Sequence, residues 1–137
     1  MIRNLLSIAV TMIILFQFLP GSVMAQEAGA SPEVIEFLLC EDVEDREPVN
    51  PKETFTTLDE RVYAYARIYN TEEPVNLHFR WTHDGAVYAN INLLIGVSQA
   101  WRTYSSVQIL EGEWKVELVD ENDNVLASTE FTVTRAE

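Results

Sequence analysis

The sequence has one cysteine, two histidines, five glycines and nine basic residues among 137, and each shortage removes a class of protein. With Cys40 alone, no intrachain disulfide can staple the fold, so a hydrophobic core must hold it. His78 and His83, even with that cysteine, do not make a metal-binding quartet. Ser98, Ser105 and Ser106 lack the Gly-x-Ser-x-Gly setting of a hydrolase nucleophile. The few basic residues face 22 acidic ones, a formal charge of −13, and such a surface repels phosphate backbones and anionic lipid. Neither nucleic acid nor a membrane surface is an expected partner. There is no convincing amphipathic helix and no cofactor motif.

The first feature that is present is an export signal. Arg3 precedes an apolar run from Leu5 to Leu19, broken by Ser7, Thr11 and Gln17, and Pro20-Gly21-Ser22-Val23-Met24-Ala25 follows with small residues at the positions a signal peptidase reads. The run is shorter than a bilayer span, so cleavage after Ala25 is favoured over a retained anchor. The expected product is exported to the periplasm or the extracellular space and is not membrane-bound after cleavage. It carries 8 basic and 22 acidic residues, a formal charge of −14 once Arg3 is lost. Its length suits one core. The expected organisation is a signal peptide (1–25), a spacer (26–33) and a single β-sandwich domain (34–137).

Short alternating runs rich in Val, Ile, Tyr, Phe, Trp and Thr fill that domain, and Glu41 to Glu53, acidic and holding Pro48 and Pro51, reads as a loop. Strands are expected at 34–40, 54–58, 61–69, 75–82, 86–95, 100–109, 113–119 and 125–134. They form an all-β, antiparallel two-sheet sandwich of immunoglobulin-like type. In the middle hairpin, a two-residue Asp84-Gly85 turn would set Trp81 opposite Tyr88 and mix apolar with polar faces. A three-residue loop, His83-Asp84-Gly85, instead matches Trp81 with Val87 and Phe79 with Ala89. It places Arg80 across from Tyr88 and His78 across from Asn90, forming a polar patch. Strand 61–69 has an aliphatic face and a Tyr63-Tyr65-Arg67-Tyr69 face, either of which could be buried. Cys40, alternating with Val34 and Leu38 and followed by Glu41-Asp42, reads as a small buried hydrophobe and not a reactive thiol.

The strongest candidate for recognition is Trp101-Arg102-Thr103-Tyr104-Ser105-Ser106, where Arg102 and Tyr104 share a face. A forked cation beside a rigid aromatic suits a sugar, an acidic peptide or a carboxylate. The competing reading pairs Arg102 with one of the chain's many acids. His78, Arg80 and Tyr88 complete the candidate binding set, with no metal and no cofactor expected. Asp120-x-Asn122-x-Asn124 imitates the opening of a calcium loop but has Val125 at the glycine position and Phe131 at the closing carboxylate position. An ordinary Asx-rich turn accounts for it.

Cys40 with Asp45-Arg46-Glu47-Pro48, Thr54-Phe55, Arg61-Val62-Tyr63, His78 and Trp81, Asp84-Gly85, Arg102-Thr103-Tyr104-Ser105-Ser106, Gly112-x-Trp114-x-Val116, Val125-Leu126 and Phe131-x-Val133 form an ordered series. It resembles the bacterial domain of unknown function 2914 family, departing at Val107, where that pattern often has lysine. The resemblance implies an envelope-associated β domain and brings no activity or catalytic residue with it. Together these readings favour a non-catalytic binding or assembly module of the bacterial envelope, recognising a protein, glycan or small ligand. A small envelope hydrolase with His78 as general base and a structural subunit of an envelope complex are the alternatives.

Overall fold

The computed structural model describes residues 32–137, so the expected signal peptide and residues 26–31 of the spacer lie outside the described residues. Nine strands follow: β1 (Glu33–Glu44), β2 (Glu47–Pro51), β3 (Phe55–Thr56), β4 (Arg61–Asn70), β5 (Val75–His83), β6 (Ala86–Ile95), β7 (Ser98–Gln108), β8 (Gly112–Val119) and β9 (Val125–Thr134). They form two sheets, ordered β2-β1-β4-β7 and β3-β9-β8-β5-β6. Pairing is antiparallel except between β3 and β9. The β1-β4-β7 strands face β9-β8-β5 in the manner of an immunoglobulin-like sandwich, with β6 extending the second sheet.

The core lies where the two inner faces meet. Val62, Ala64, Ala66 and Ile68 of β4 point inward, and the small alanines leave room for Phe79 and Trp81 of β5, both fully buried. Trp81 meets Trp114 and Phe131 edge-on, and Phe37 stacks over Phe79 between the sheets. The one polar handle of that indole is satisfied, because Trp81 Nε1 donates to Ser105 Oγ on β7 at 2.8 Å. Asn70 is also fully buried and donates through Nδ2 to the carbonyls of Glu73 (2.9 Å) and Gly96 (3.1 Å), tying the β4–β5 turn to the β6–β7 connection.

The structure corrects several expectations. The acidic segment 41–53 is not a loop: β1 runs on to Glu44 and turns at Asp45-Arg46 into β2. Both turn residues have positive φ (50° and 62°), the conformation of a two-residue hairpin turn whose twist matches the strands. Pro48 and Pro51 are tolerated because β2 is an edge strand, where a missing N–H breaks no ladder. The 54–58 segment supplies only two strand residues.

The middle hairpin also differs. His83 pairs with Ala86, so Asp84-Gly85 is a two-residue turn with φ of 48° and 83°. The mixed faces this would cause are avoided by a bulge: Thr82 pairs with Val87 and Trp81 with Ala89, leaving Tyr88 as the extra residue. Beyond it Phe79 pairs with Ile91, Arg80 with Asn90 and His78 with Asn92. Val87 is consequently turned outward and 59% exposed instead of joining the core face. A second bulge, at Leu126, does the same to Val125. A third irregularity, at Ile35, puts Val34 on the core face while Leu38 and Cys40 lie on the other side. Cys40 is buried there all the same, and burial pushes its thiol pKa up, which fits an inert side chain.

Candidate functional site

The five residues singled out from the sequence fall into three places. Arg102 and Tyr104 occupy the outer face of the β2-β1-β4-β7 sheet. His78 and Arg80 occupy the outer face of the other sheet. Tyr88, displaced by its bulge, packs its ring on Trp114 at 5.1 Å between centroids and on His83 at 6.4 Å. No single patch unites them.

Arg80 is committed to its own sheet. Its Nε donates to Glu117 Oε1 at 3.0 Å and its Nη1 to Asp123 Oδ1 at 2.9 Å, and these bonds hold the guanidinium pKa up. Glu117 is only 7% exposed, and Arg80, together with Lys115 Nζ at 3.7 Å, neutralises its buried carboxylate. His78 sits in a row with Asn92 and Val119, while Ser98, Ser105 and Ser106 are all on β7 of the opposite sheet. Those three serines are therefore kept apart from His78.

The Asp120–Asn124 turn is closed by its own acid. Asp120 Oδ1 accepts from the backbone N–H groups of Asn122 (2.9 Å) and Asn124 (2.8 Å), and Oδ2 accepts from Asn124 Nδ2 (3.1 Å). Among the described residues, no group of three or more His, Cys, Asp or Glu is placed to hold a metal ion. Partial burial works against the charged form of Asp120, but the bonds from Asn124 and Asn122 outweigh it, and its pKa lies below the usual carboxylate value. A depressed folded-state pKa means the contribution is complete above the unfolded value and is lost as pH falls through the folded one. Asp120→Ala is expected to cost about 1 kcal/mol at neutral pH and almost nothing in strong acid. Urea unfolding at both pH values checks this.

The outer face around Arg102 is built differently. On β4, Tyr63, Tyr65 and Arg67 alternate outward, and the register sets Tyr65 opposite Tyr104 and Arg67 opposite Arg102. Glu36 of β1 completes the Arg67 row and pairs with its Nη2 at 3.2 Å. The β1–β2 hairpin then leaves the sheet. β1 last pairs with β4 at Cys40–Tyr63, yet Glu47, beyond the hairpin turn, forms an ion pair with Arg102 on β7, at the far edge of the sheet. Only an arm folded back across the outer face makes that contact. Beneath it Tyr65 is 2% exposed, although its strand neighbours on that face are partly open. Burial first, then the carboxylates of Glu47 and Glu36, push the Tyr65 hydroxyl pKa up, while Arg102 and Arg67 oppose them.

Two depressions flank Arg102. One, about 180 Å³, is lined by Arg46, Tyr65, Arg102, Thr103 and Tyr104. The other, about 440 Å³, is lined by Arg46, Val97, Ser98, Ala100, Trp101 and Arg102. Both have two arginines and no carboxylate in their walls. A comparable hollow on the same domain is walled by Glu41, Asp42, Asp59 and Glu60 beside Arg61. Tyr104, 48% exposed, offers its ring beside Tyr63 at 6.0 Å. The sequence reading thus found Arg102 and Tyr104 but missed Arg46, Glu47, Tyr65 and Arg67. For Arg46 and Glu47 the signal was the Asp45-Arg46-Glu47-Pro48 string, whose proline suggested a loop, and for Tyr65 and Arg67 it was the Tyr63-Tyr65-Arg67-Tyr69 face.

No curated protein matches the chain. Among solved structures, a β-glucosidase from Kluyveromyces marxianus is similar over 72% of this chain at 12% identity and a TM-score of 0.43, and the chain spans 14% of that protein's length. Residues 74–133, from the turn before β5 into β9, match the family model described as Protein of unknown function (DUF2914), which supports the chain's assignment to that family.

Proposed function

We propose that the protein is a non-catalytic recognition module of the bacterial envelope, exported by its N-terminal segment, whose binding surface is the cleft around Arg102 and Tyr104. The observation that carries this is the pair of hollows sharing Arg46 and Arg102, lined otherwise by aromatic, hydroxyl and small apolar side chains, where the one carboxylate paired with Arg102 among the described residues is the exposed Glu47, in a chain with 22 acids and nine basic residues. A guanidinium in such a pocket keeps forked donors available to a partner, and the tyrosines add contact area at small entropic cost. His78, with its serines on the other sheet, supports the hydrolase alternative poorly.

The test is capture from a native envelope extract by the tagged protein purified after export, beside an Arg102→Ala, Tyr104→Ala double variant whose fold is verified by circular dichroism. A component captured by the native protein and at least tenfold depleted with the variant is the expected result. Equal capture by both places recognition elsewhere on the molecule. Turnover of an envelope substrate that is lost in His78→Gln would replace this reading with the enzymatic one.

A further inference from the structure

The cleft around Arg102 already holds a carboxylate. Glu47, reaching over from β2, pairs with Arg102 Nη1 through one oxygen, and its own side chain is 64% exposed. Resting on the recognition reading above, we propose that the ligand of this cleft is an acidic, extended peptide segment of a partner protein. Its Glu or Asp side chain takes the place Glu47 now occupies.

Three features carry the inference. First, the donors around Arg102 exceed what Glu47 uses. Arg46 lines both hollows beside Arg102 and adds a second guanidinium to the one Glu47 engages. Glu47 touches a single nitrogen of a guanidinium built to present two in parallel. An incoming carboxylate that engages both nitrogens of Arg102 makes a bond the resident does not.

Second, the resident is displaceable. An ion pair between side chains as open as Arg102 (39%) and Glu47 (64%) is screened and weak, so the arm is held at this point by little more than its tether. Third, the shape of the site is that of a strand lying across a sheet face. The segment that brings Glu47 to Arg102 is an extended edge strand, Glu47–Pro51, paired on one side only, to β1. A peptide of the same chemistry meets a surface already shaped for one, and this favours a peptide over a glycan. The acidic character of the rest of the domain adds selectivity, since a carboxylate is repelled from the hollow walled by Glu41, Asp42, Asp59 and Glu60 and tolerated at the two that share Arg46 and Arg102.

The arm therefore acts as an intramolecular competitor, lowering the apparent affinity by the fraction of time the cleft is occupied. The probe is a fluorescein-labelled peptide copying residues 42–50, Asp42 to Asn50, titrated against the protein purified after export and followed by anisotropy. A second peptide carries Gln at the position of Glu47. The expected results are binding of the first peptide, about tenfold weaker binding of the Gln peptide, and about two- to fivefold tighter binding of the first peptide by the Glu47→Gln protein. Arg102→Ala should remove binding. Arg102→Gln, which keeps more of the side chain's bulk, should remove it too, with circular dichroism confirming that both variants fold. Absence of peptide binding to both native and Glu47→Gln protein would overturn the proposal, as would equal affinity for the two peptides. Binding of an oligogalacturonide instead, lost with Arg102→Ala, would also overturn it while leaving the recognition reading standing. That reading falls separately, if envelope capture is indifferent to the double variant.

Discussion

Replacing Trp81 by alanine is expected to destabilise the domain by about 3–5 kcal/mol, a large part of the 5–15 kcal/mol typical of a domain this size. Trp81 is fully buried at the centre of the sandwich, against Trp114 and Phe131, and its removal leaves a cavity that two hydrogen-bonded sheets cannot collapse to fill. It also strands Ser105 Oγ, which accepts the indole N–H at 2.8 Å. Trp81→Phe separates the two terms, because it retains most of the ring volume and loses the hydrogen bond. A cost of about 1–3 kcal/mol is expected for it. Urea unfolding followed by far-ultraviolet circular dichroism measures both. Equal losses for the two variants would show that the hydrogen bond, and not packing, dominates at this site.

Gly112→Ala is expected to cost about 2–4 kcal/mol, more than its single added methyl group would suggest. Gly112 opens β8 at φ +139°, a conformation that residues with a Cβ rarely adopt. An added Cβ would also lie 2.6 Å from both Asp84 Oδ1 and His83 Nε2. Neither atom is free to swing away. Asp84 Oδ1 accepts from Glu113 N–H at 2.8 Å, and His83 Nε2 bonds the carbonyl of Glu111 at 2.9 Å, with its ring 4.6 Å from that of Trp114. The methyl group therefore adds backbone strain and loosens the bonds that join the β5–β6 turn to the start of β8. Unfolding curves of Gly112→Ala and of Gly85→Ala give the comparison. Gly85 also has positive φ, but nothing lies within 4 Å of its Cβ position, so its variant should show the strain without the clash.

The candidate site was half legible for a reason visible in its parts. Arg102 and Tyr104 stand on a strand whose period-two alternation is plain, so their shared face follows from the sequence. Arg46 and Glu47 stand on an arm whose position depends on where β1 stops following β4, and nothing local encodes that. Arg80 and Tyr88 illustrate the same limit. Their assignment to one patch assumed an uninterrupted ladder, and one extra residue in β6 sent Tyr88 to Trp114 and left Arg80 opposite Asn90. A bulge changes the face of every residue on one side of it while leaving the composition of the strand unchanged.

The sequence by itself determined the all-β architecture, most of the strands and the apolar make-up of the core, because alternation and residue type are local properties. Only the tertiary structure decided that Asp84-Gly85 turns in two residues, that Val87 and Val125 face outward, that Pro48 and Pro51 sit in an edge strand, and that Glu47 reaches Arg102 across the sheet. Each of these depends on competition between segments far apart in the chain, where burial of an entire face outweighs the regularity of any one ladder.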